Sequence, residues 1–570
     1  MSSEHARIWW KEGVFYQIYP ASFKDSNDDG LGDLPGILSK IDYLKDLGVD
    51  VVWICPMYKS PQHDMGYDIS DYQDVHTPYG TVKDVEEIIK ACHDRGMKLI
   101  LDLVINHTSD EHAWFKESRS SKDNPKRNWY IWRPAKYTED GKRMPPNNWQ
   151  SFFSGSVWEW DENTQEYYLH LFAKQQPDVN FENDETRKTI YENSIVYWLE
   201  KGIDGFRVDS VNMYSKDPMY RDAPIVNKGF VQPAYDLICN GPKCHDYLIE
   251  IGQILKKYGA VSVGELPFTP DFEKVLPYVK AENDQLSMVF QFDFVDLGHG
   301  SKIKYEYEPW KLPEMKRIVS SIQRFIEGTD AWTTAFCENH DQGRSISRYA
   351  SDAPEWIDRS GKLLAMFMCA LSGTLFIYQG QEIGMINAPK DWDISHYKDI
   401  ESQNHYKNMV ENGYSTPEKV MQNLQILARD HGRFPMQWDD SPFGGFSTRE
   451  PWMSVHPCYK TINVASQLKN PSSILNFWKK MLEIRKKYKD IFVYGTFREL
   501  DVENENTFTF EKSKKLIVFL NFTDKEQSFQ LPTDRNWQFL IGNVDEKDQH
   551  ASRLSGYEGR IYITTDVVKS

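Results

Sequence analysis

Lys98-Leu-Ile-Leu-Asp-Leu-Val104, running on into Ile105-Asn-His107, decides the fold. Its apolar run is short and reads as a strand buried on both faces, with polar residues directly at its end. The pattern recurs at residues 14–20, 51–56, 205–208, 261–264, 289–292, 334–337 and 374–378. Between these runs, stretches such as 34–47, 82–95 and 184–201 return apolar residues at three- and four-residue spacing, the mark of an amphipathic helix. Eight buried strands alternating with helices predict an α/β fold, a (β/α)8 TIM barrel.

Two long intervals interrupt the alternation. Residues 106–175, rich in Trp, Tyr, Asn, Pro and Lys, are too long for a connection and predict a subdomain inserted after the third strand. Residues 379–438 form a second excursion after the eighth strand, placed to wall one side of a pocket. Near the C-terminus the period changes to alternating segments such as Thr507-Phe-Thr-Phe and Leu516-Ile-Val-Phe-Leu, which predict a small antiparallel β-sandwich. The expected organisation is barrel over 1–105 and 176–490, inserted subdomain over 106–175, and β-sandwich over 491–570.

Composition narrows the partners. A net charge of −17 and a pI near 5.4 disfavour nucleic acid and anionic membrane surfaces, which select basic patches. Seven cysteines form an odd set without a metal-type CxxC pair, the usage of a reducing compartment. With no signal-like N-terminus and no membrane-length apolar stretch, the expectation is a soluble, cytoplasmic monomer acting on a neutral small molecule. The acceptor patterns at Asn106 and Asn521 are then incidental.

In such a barrel the C-terminal ends of the strands face the site. Those ends carry Asp102-Leu-Val-Ile-Asn-His107, Gly205-Phe-Arg-Val-Asp209, Gly264-Glu265 and Glu338-Asn-His-Asp341. Singly, such residues most often cap helices or satisfy backbone groups. Taken in order, the four stretches resemble the signature regions of the α-amylase family of glycoside hydrolases. The resemblance extends through Gly13-Val-Phe-Tyr-Gln-Ile-Tyr-Pro20 and Gly373-Thr-Leu-Phe-Ile-Tyr-Gln-Gly-Gln-Glu-Ile-Gly384. Gln176-Pro-Asp-Val-Asn180 resembles the signature of the oligo-1,6-glucosidase and maltase branch, which implies short oligosaccharide substrates.

The resemblance implies that Asp209 is a nucleophile, Glu265 a general acid and base, and Asp341 a stabiliser of the cationic sugar. Arg207, two residues before Asp209 on one strand face, would keep that carboxylate ionised, whereas Glu265 needs its pKa raised by burial and anionic neighbours. Retention of configuration requires the two carboxyl groups about 5 Å apart. By the same resemblance His107 and His340 bind glucose hydroxyls, with structural roles as the alternative. Asp64 would bind distal hydroxyls, Tyr67 would stack on the sugar, and Arg433 would contact it although Phe434 replaces the usual Thr or Ser. A pocket closed at its far end admits only a chain terminus, which implies exo action. Phe152, Phe153 and Phe172 are assigned to the leaving-group side.

Asp25-Ser-Asn27-Asp-Asp29-Gly-Leu31-Gly-Asp33 offers oxygen ligands at alternating positions, a chemistry suited to calcium. It begins like an EF-hand loop but has Gly36 where the bidentate Glu would stand. The family match makes Asp25, Asn27, Asp29, Asp33 and the Leu31 carbonyl the ligands of a structural calcium; a bare Asx-rich turn is the alternative.

Ser210 follows the nucleophile where Val accompanies α-1,6 preference and Thr accompanies maltose and sucrose use in related enzymes. Its hydroxyl points to maltose and sucrose, with some isomaltose; an oligo-1,6-glucosidase is the main alternative. A trehalose-6-phosphate hydrolase is a further reading. A sucrose isomerase is disfavoured because Ser301-Lys-Ile-Lys-Tyr-Glu306 stands in place of an Arg-Leu-Asp-Arg-Asp loop. A non-catalytic transporter heavy chain is disfavoured by the intact acids.

Overall fold

The computed structural model describes residues 7–300, 303–545 and 552–569. Residues 1–6 of the N-terminal stretch read above for a leader, and Ser301 and Lys302 of the stretch compared with sucrose isomerases, lie outside them.

The eight predicted strands are β1 (Val14–Ile18), β2 (Val51–Ile54), β3 (Lys98–Leu103), β4 (Gly205–Val208), β5 (Val261–Leu266), β6 (Met288–Gln291), β7 (Thr334–Ala335) and β8 (Thr374–Tyr378). They form one parallel sheet in the order β6-β5-β4-β3-β2-β1-β8-β7. Every residue of β1, β2, β4 and β8 is buried, which is why these strands read as apolar runs broken only by Gln17 in β1 and Arg207 in β4. Burying one such Val, Leu, Ile or Phe side chain contributes roughly 1.5–3 kcal/mol.

The barrel closes between β6 and β7 through side chains. Thr334 Oγ1 donates to the Val289 carbonyl at 3.0 Å, and Thr333 Oγ1 lies 3.1 Å from Gln291 Oε1. β7 is correspondingly shorter than the apolar run predicted.

Helix Val82–Asp94 follows its sequence pattern closely. Thr81 and Asp84 form a capping box at its start, and Val85, Ile88, Ile89 and Cys92 make the buried stripe. The other two predicted helices are interrupted: residues 34–47 divide into Leu34–Leu38 and Ile41–Leu47, and residues 184–201 pass through a π-helical turn at Tyr191–Val196. A π turn keeps the apolar spacing nearly intact while changing the hydrogen-bond register, so periodicity alone does not reveal it.

The inserted segment folds on a three-stranded sheet (Trp132–Arg133, Trp158–Asp161, Glu166–Leu169). Its core, around Trp149, Val157 and Leu171, includes Met213 and Ile238 from the loop after β4, so insertion and barrel share one cluster.

At the C-terminus β9 (Phe497–Glu499), β10 (Thr507–Lys512), β11 (Leu516–Asn521), β12 (Trp537–Gly542) and β13 (Gly559–Thr564) form an antiparallel sheet. Along β11 the side chains alternate: Leu516, Val518 and Leu520 join the main core, while Ile517 and Phe519 pack outward with Leu554 and Tyr562. The outer layer of the predicted sandwich is a two-stranded ribbon, Gln527–Ser528 with Arg553–Leu554. Among the described residues no helix is long and apolar enough to cross a membrane.

Candidate active site

Strand register brings the strand-end residues together. Arg207 in β4 sits opposite Asp102 in β3 and Val263 in β5, so its guanidinium rises at the centre of the rim. It reaches three carboxylates: Asp102 Oδ1 at 2.5 Å, Asp209 Oδ1 at 2.7 Å and Glu265 Oε1 at 2.8 Å. Asp209 and Glu265 thus sit side by side on one fork. Immediately after Asp209 the chain turns through Ser210, whose φ of 46° is left-handed, and the Ser210 amide donates to Glu265 Oε2 at 3.2 Å. That backbone costs of order 1–3 kcal/mol and holds the two acids in register.

Burial governs the protonation of this group. It pushes the Glu265 carboxyl up to about 7; Arg207 opposes the rise, and Asp209 and Asp341 add to it. Burial also raises Asp209 above the ordinary carboxylate range, against the lowering by Arg207. The expected lowering of Asp209 by Arg207 is present, but desolvation of the enclosed carboxylate is larger, so the net direction is upward.

Asp341 faces this pair from the loop after β7. Arg433 Nη2 and Arg429 Nη1 lie 2.9 and 3.2 Å from its Oδ1, and His340 Nε2 lies 3.2 Å from Oδ2. Burial works against ionisation here too, but His340, Arg429 and Arg433 hold Asp341 well below the usual range. His340 is itself pushed down to about 3 by burial, so at neutral pH the two guanidiniums supply the positive charge. Its ring is fixed between Gln17 Nε2, 2.7 Å from Nδ1, and the Tyr67 hydroxyl, 2.6 Å from Nε2. Tyr67 lies parallel to it with centroids 5.3 Å apart.

The far wall is built from Asp64 and His107. Gln176 Nε2 donates to Asp64 Oδ2 at 2.9 Å and lies 3.1 Å from His107 Nε2. Arg429 reaches Asp64 Oδ1 at 3.4 Å, and burial pushes Asp64 up to about 7. His107 is pushed down to about 4 by burial and is neutral. On the open side Phe172 packs 5.1 Å from His107, and Phe153 lies under the Arg429 guanidinium at 5.4 Å. Phe152 is placed further out, in a ladder with Phe268 at 5.6 Å; Phe268 in turn stacks on Tyr235 at 4.1 Å. Phe434 is buried against Trp392 at 5.4 Å, and Arg433 keeps its partners beside it.

Several partners were not anticipated. Arg429, Asp399 and Glu401 come from the interval after β8, with Asp399 Oδ2 2.7 Å from Arg429 and 2.5 Å from Arg433. Arg429 stands four residues before Arg433 and could have been questioned with it. Asp399 carries no local signal. Asp102, quoted among the strand-end residues, received no role, yet it shares the central guanidinium.

The loop at residues 25–33 lies apart from these acids. Asp25 accepts amide hydrogens from Asn27, Asp28 and Gly30; Asn27 accepts from Asp29, and Asp29 from Leu31. Gly30, with φ at 90°, makes the tight bend, because a Cβ there would lie 2.4 Å from the Glu450 carbonyl oxygen. Oxygen donors of this kind are the ligands that calcium takes, and here Asp25, Asn27 and Asp29 are engaged by the loop's own amides in successive Asx turns. The carboxylates themselves are not drawn together: among the described residues no group of three or more His, Cys, Asp or Glu could hold a metal as placed.

A parallel eight-stranded barrel with Asp209, Glu265 and Asp341 enclosed on its C-terminal rim, and Arg207, Arg429 and Arg433 bound to them, is the architecture of a glycoside hydrolase. The alpha amylase catalytic domain profile matches residues 17–495, and the chain belongs to that family. It is 49% identical to an alpha-glucosidase of Candida albicans over 98% of this chain and 100% of the relative. It is 46% identical to an oligo-1,6-glucosidase of Parageobacillus thermoglucosidasius over 98% of this chain and 99% of the relative. Among solved structures it is similar to isomaltulose synthase SmuA from Protaminobacter rubrum, with TM-score 0.92, 37% identity, and coverage of 98% of this chain and 99% of that one.

Proposed function

We propose that this hydrolase is a retaining, exo-acting α-glucosidase that removes α-glucose from the non-reducing ends of maltose, sucrose and short oligosaccharides. The observation that carries the reading is the shared Arg207 fork, which sets Asp209 and Glu265 beside each other. In the first step an Asp209 oxygen attacks the anomeric carbon while the Glu265 proton passes to the leaving oxygen and the glycosidic bond breaks. Glu265, now a carboxylate, then takes a proton from water, whose oxygen displaces Asp209 and releases α-glucose. Asp341, held ionised by Arg429 and Arg433, faces the developing positive charge.

Exo action is supported by the far wall. Asp64, Tyr67, His107 and Gln176 are buried and joined through the Gln176 amide, a closed wall that supports binding of a chain end. Neutral His107 and His340 suit hydroxyl groups, and Phe152, Phe153 and Phe172 suit the apolar faces of the leaving sugar. A calcium ion held by Asp25, Asn27, Asp29, Asp33 and the Leu31 carbonyl is proposed as a structural element. A cytoplasmic, monomeric protein is the accompanying proposal, with seven cysteines present as free thiols in support.

The oligo-1,6-glucosidase reading is the second, because Ser210 matches neither residue typical of the two specificities. Specificity constants on maltose, sucrose and isomaltose decide between them, with Asp209→Ala as the inactive control. Maltose and sucrose are expected to exceed isomaltose, and Ser210→Val to move the balance towards isomaltose by about tenfold, within the roughly 1–3 kcal/mol available from one pocket contact. A wild type that strongly prefers isomaltose removes the first reading.

A further inference from the structure

Beyond the two reacting acids the chain is bent in an unusual way. Ser210 after Asp209, Phe268 after Glu265, and Asn240 in the loop that follows β4 all adopt left-handed backbone, with φ of 46°, 53° and 55°. None of them is glycine, and such conformations persist only where the surroundings over-determine them.

The segments that carry these turns meet at Thr269. Its buried hydroxyl donates to the Pro267 carbonyl at 3.1 Å and accepts from Asn212 Nδ2 at 3.1 Å and from Asn240 Nδ2 at 3.0 Å. A hydroxyl has one hydrogen and two lone pairs, so this one is fully used. The partners are bonded to each other as well. Asn212 Nδ2 donates to the Pro267 carbonyl at 2.7 Å, and the Asn240 backbone amide donates to the Asn212 carbonyl at 2.7 Å. The Tyr278 hydroxyl donates to Asn240 Oδ1 at 2.7 Å and fixes that amide from behind.

We propose that Thr269 is a positioning residue for the hydrolysis. With Asn212 and Asn240 it ties the segment after β5 to the segment after β4, and so sets the proton of Glu265 over the leaving oxygen while Asp209 attacks. The proposal rests on the α-glucosidase reading, which gives Glu265 the general-acid role.

The Arg207 fork does a different job. Arg207 holds Glu265 Oε1 and the Ser210 amide holds Oε2, so both act on the carboxylate head. β5 ends at Leu266, the residue after Glu265, and beyond it the chain is placed by side-chain bonds instead of by the ladder. A shift of about 1 Å in a reacting group can cost on the order of a hundredfold in rate, so the anchoring of that segment enters the chemistry directly.

Thr269→Val keeps nearly the same shape and removes all the hydroxyl's bonds, whereas Thr269→Ser keeps the hydroxyl. The test compares kcat/KM on maltose, whose leaving oxygen needs a proton, with that on α-glucosyl fluoride, whose fluoride departs without one. Thr269→Val is expected to lose at least tenfold on maltose and to raise the fluoride-to-maltose ratio at least fivefold, and Thr269→Ser to return the ratio to within twofold of wild type. A role in stability alone lowers both substrates together; an unchanged ratio in folded Thr269→Val overturns the proposal. If that variant does not fold, Asn240→Gly tolerates the left-handed turn, removes one of the two amides and is read by the same ratio. A wild type that hydrolyses neither substrate defeats the activity reading separately. Hydrogen exchange at the Asn240 backbone amide then decides the anchoring: at least fivefold faster exchange is expected in Thr269→Val, and the wild-type rate there overturns it.

Discussion

Arg207 is the residue on which the rim depends. It is buried with three carboxylates around it, and removing one partner of such a set typically costs about 3–5 kcal/mol because an uncompensated charge stays inside. The complementary effect concerns Glu265. Its folded value, about 7, lies above that of a free glutamate, so the folded state favours the protonated form. The stability this provides is complete below the unfolded pKa and is lost as pH rises through about 7. At about 1.4 kcal/mol for each pH unit between the two values, the loss above pH 7 is of order 3 kcal/mol. Glu265→Gln, which keeps the neutral form, is therefore expected to be inactive yet to have a higher Tm than wild type at pH 8, with the difference closing near pH 4. Thermal melts across that range check it; a lower Tm for the variant at every pH contradicts it. For the wild type, kcat/KM is expected to fall as pH rises through about 7, when the general acid loses its proton.

At the scale of elements, the polar ends of the strands were legible because a charged group in a buried parallel strand stands out near the end that faces the site. Asp209, Glu265 and His107 were readable for that reason. Asp399 and Arg429 were not, because their partnership with Arg433 joins parts of an aperiodic interval. Phe268 and Tyr235 were missed because their stacking depends on a positive φ, 53° at Phe268, that apolar spacing does not encode. The 25–33 loop shows the same division: the alternating oxygens were visible, but their engagement with the loop's own amides was not. If calcium completes this loop, chelation by EDTA is expected to lower Tm, since free calcium at a hundred times its Kd adds about 2.7 kcal/mol. Restoration of Tm by calcium and not by magnesium confirms it; a Tm indifferent to EDTA and calcium shows that the Asx turns suffice.

For the whole molecule, the alternation of strands and helices was enough to predict the barrel, and the change to a two-residue period the C-terminal sheet. Two features needed coordinates. One is closure between β6 and β7 by threonine side chains, which no count of apolar runs reveals. The other is enclosure itself, which lifts Asp209 as well as Glu265 and so changes the electrostatic argument made from Arg207 alone. The central claim is that Asp209 and Glu265 cooperate through a covalent intermediate. Proton NMR of the glucose first released from maltose, recorded faster than mutarotation, tests it most directly. The α-anomer is predicted to appear first and relax towards the equilibrium mixture; initial release of the β-anomer would contradict the account.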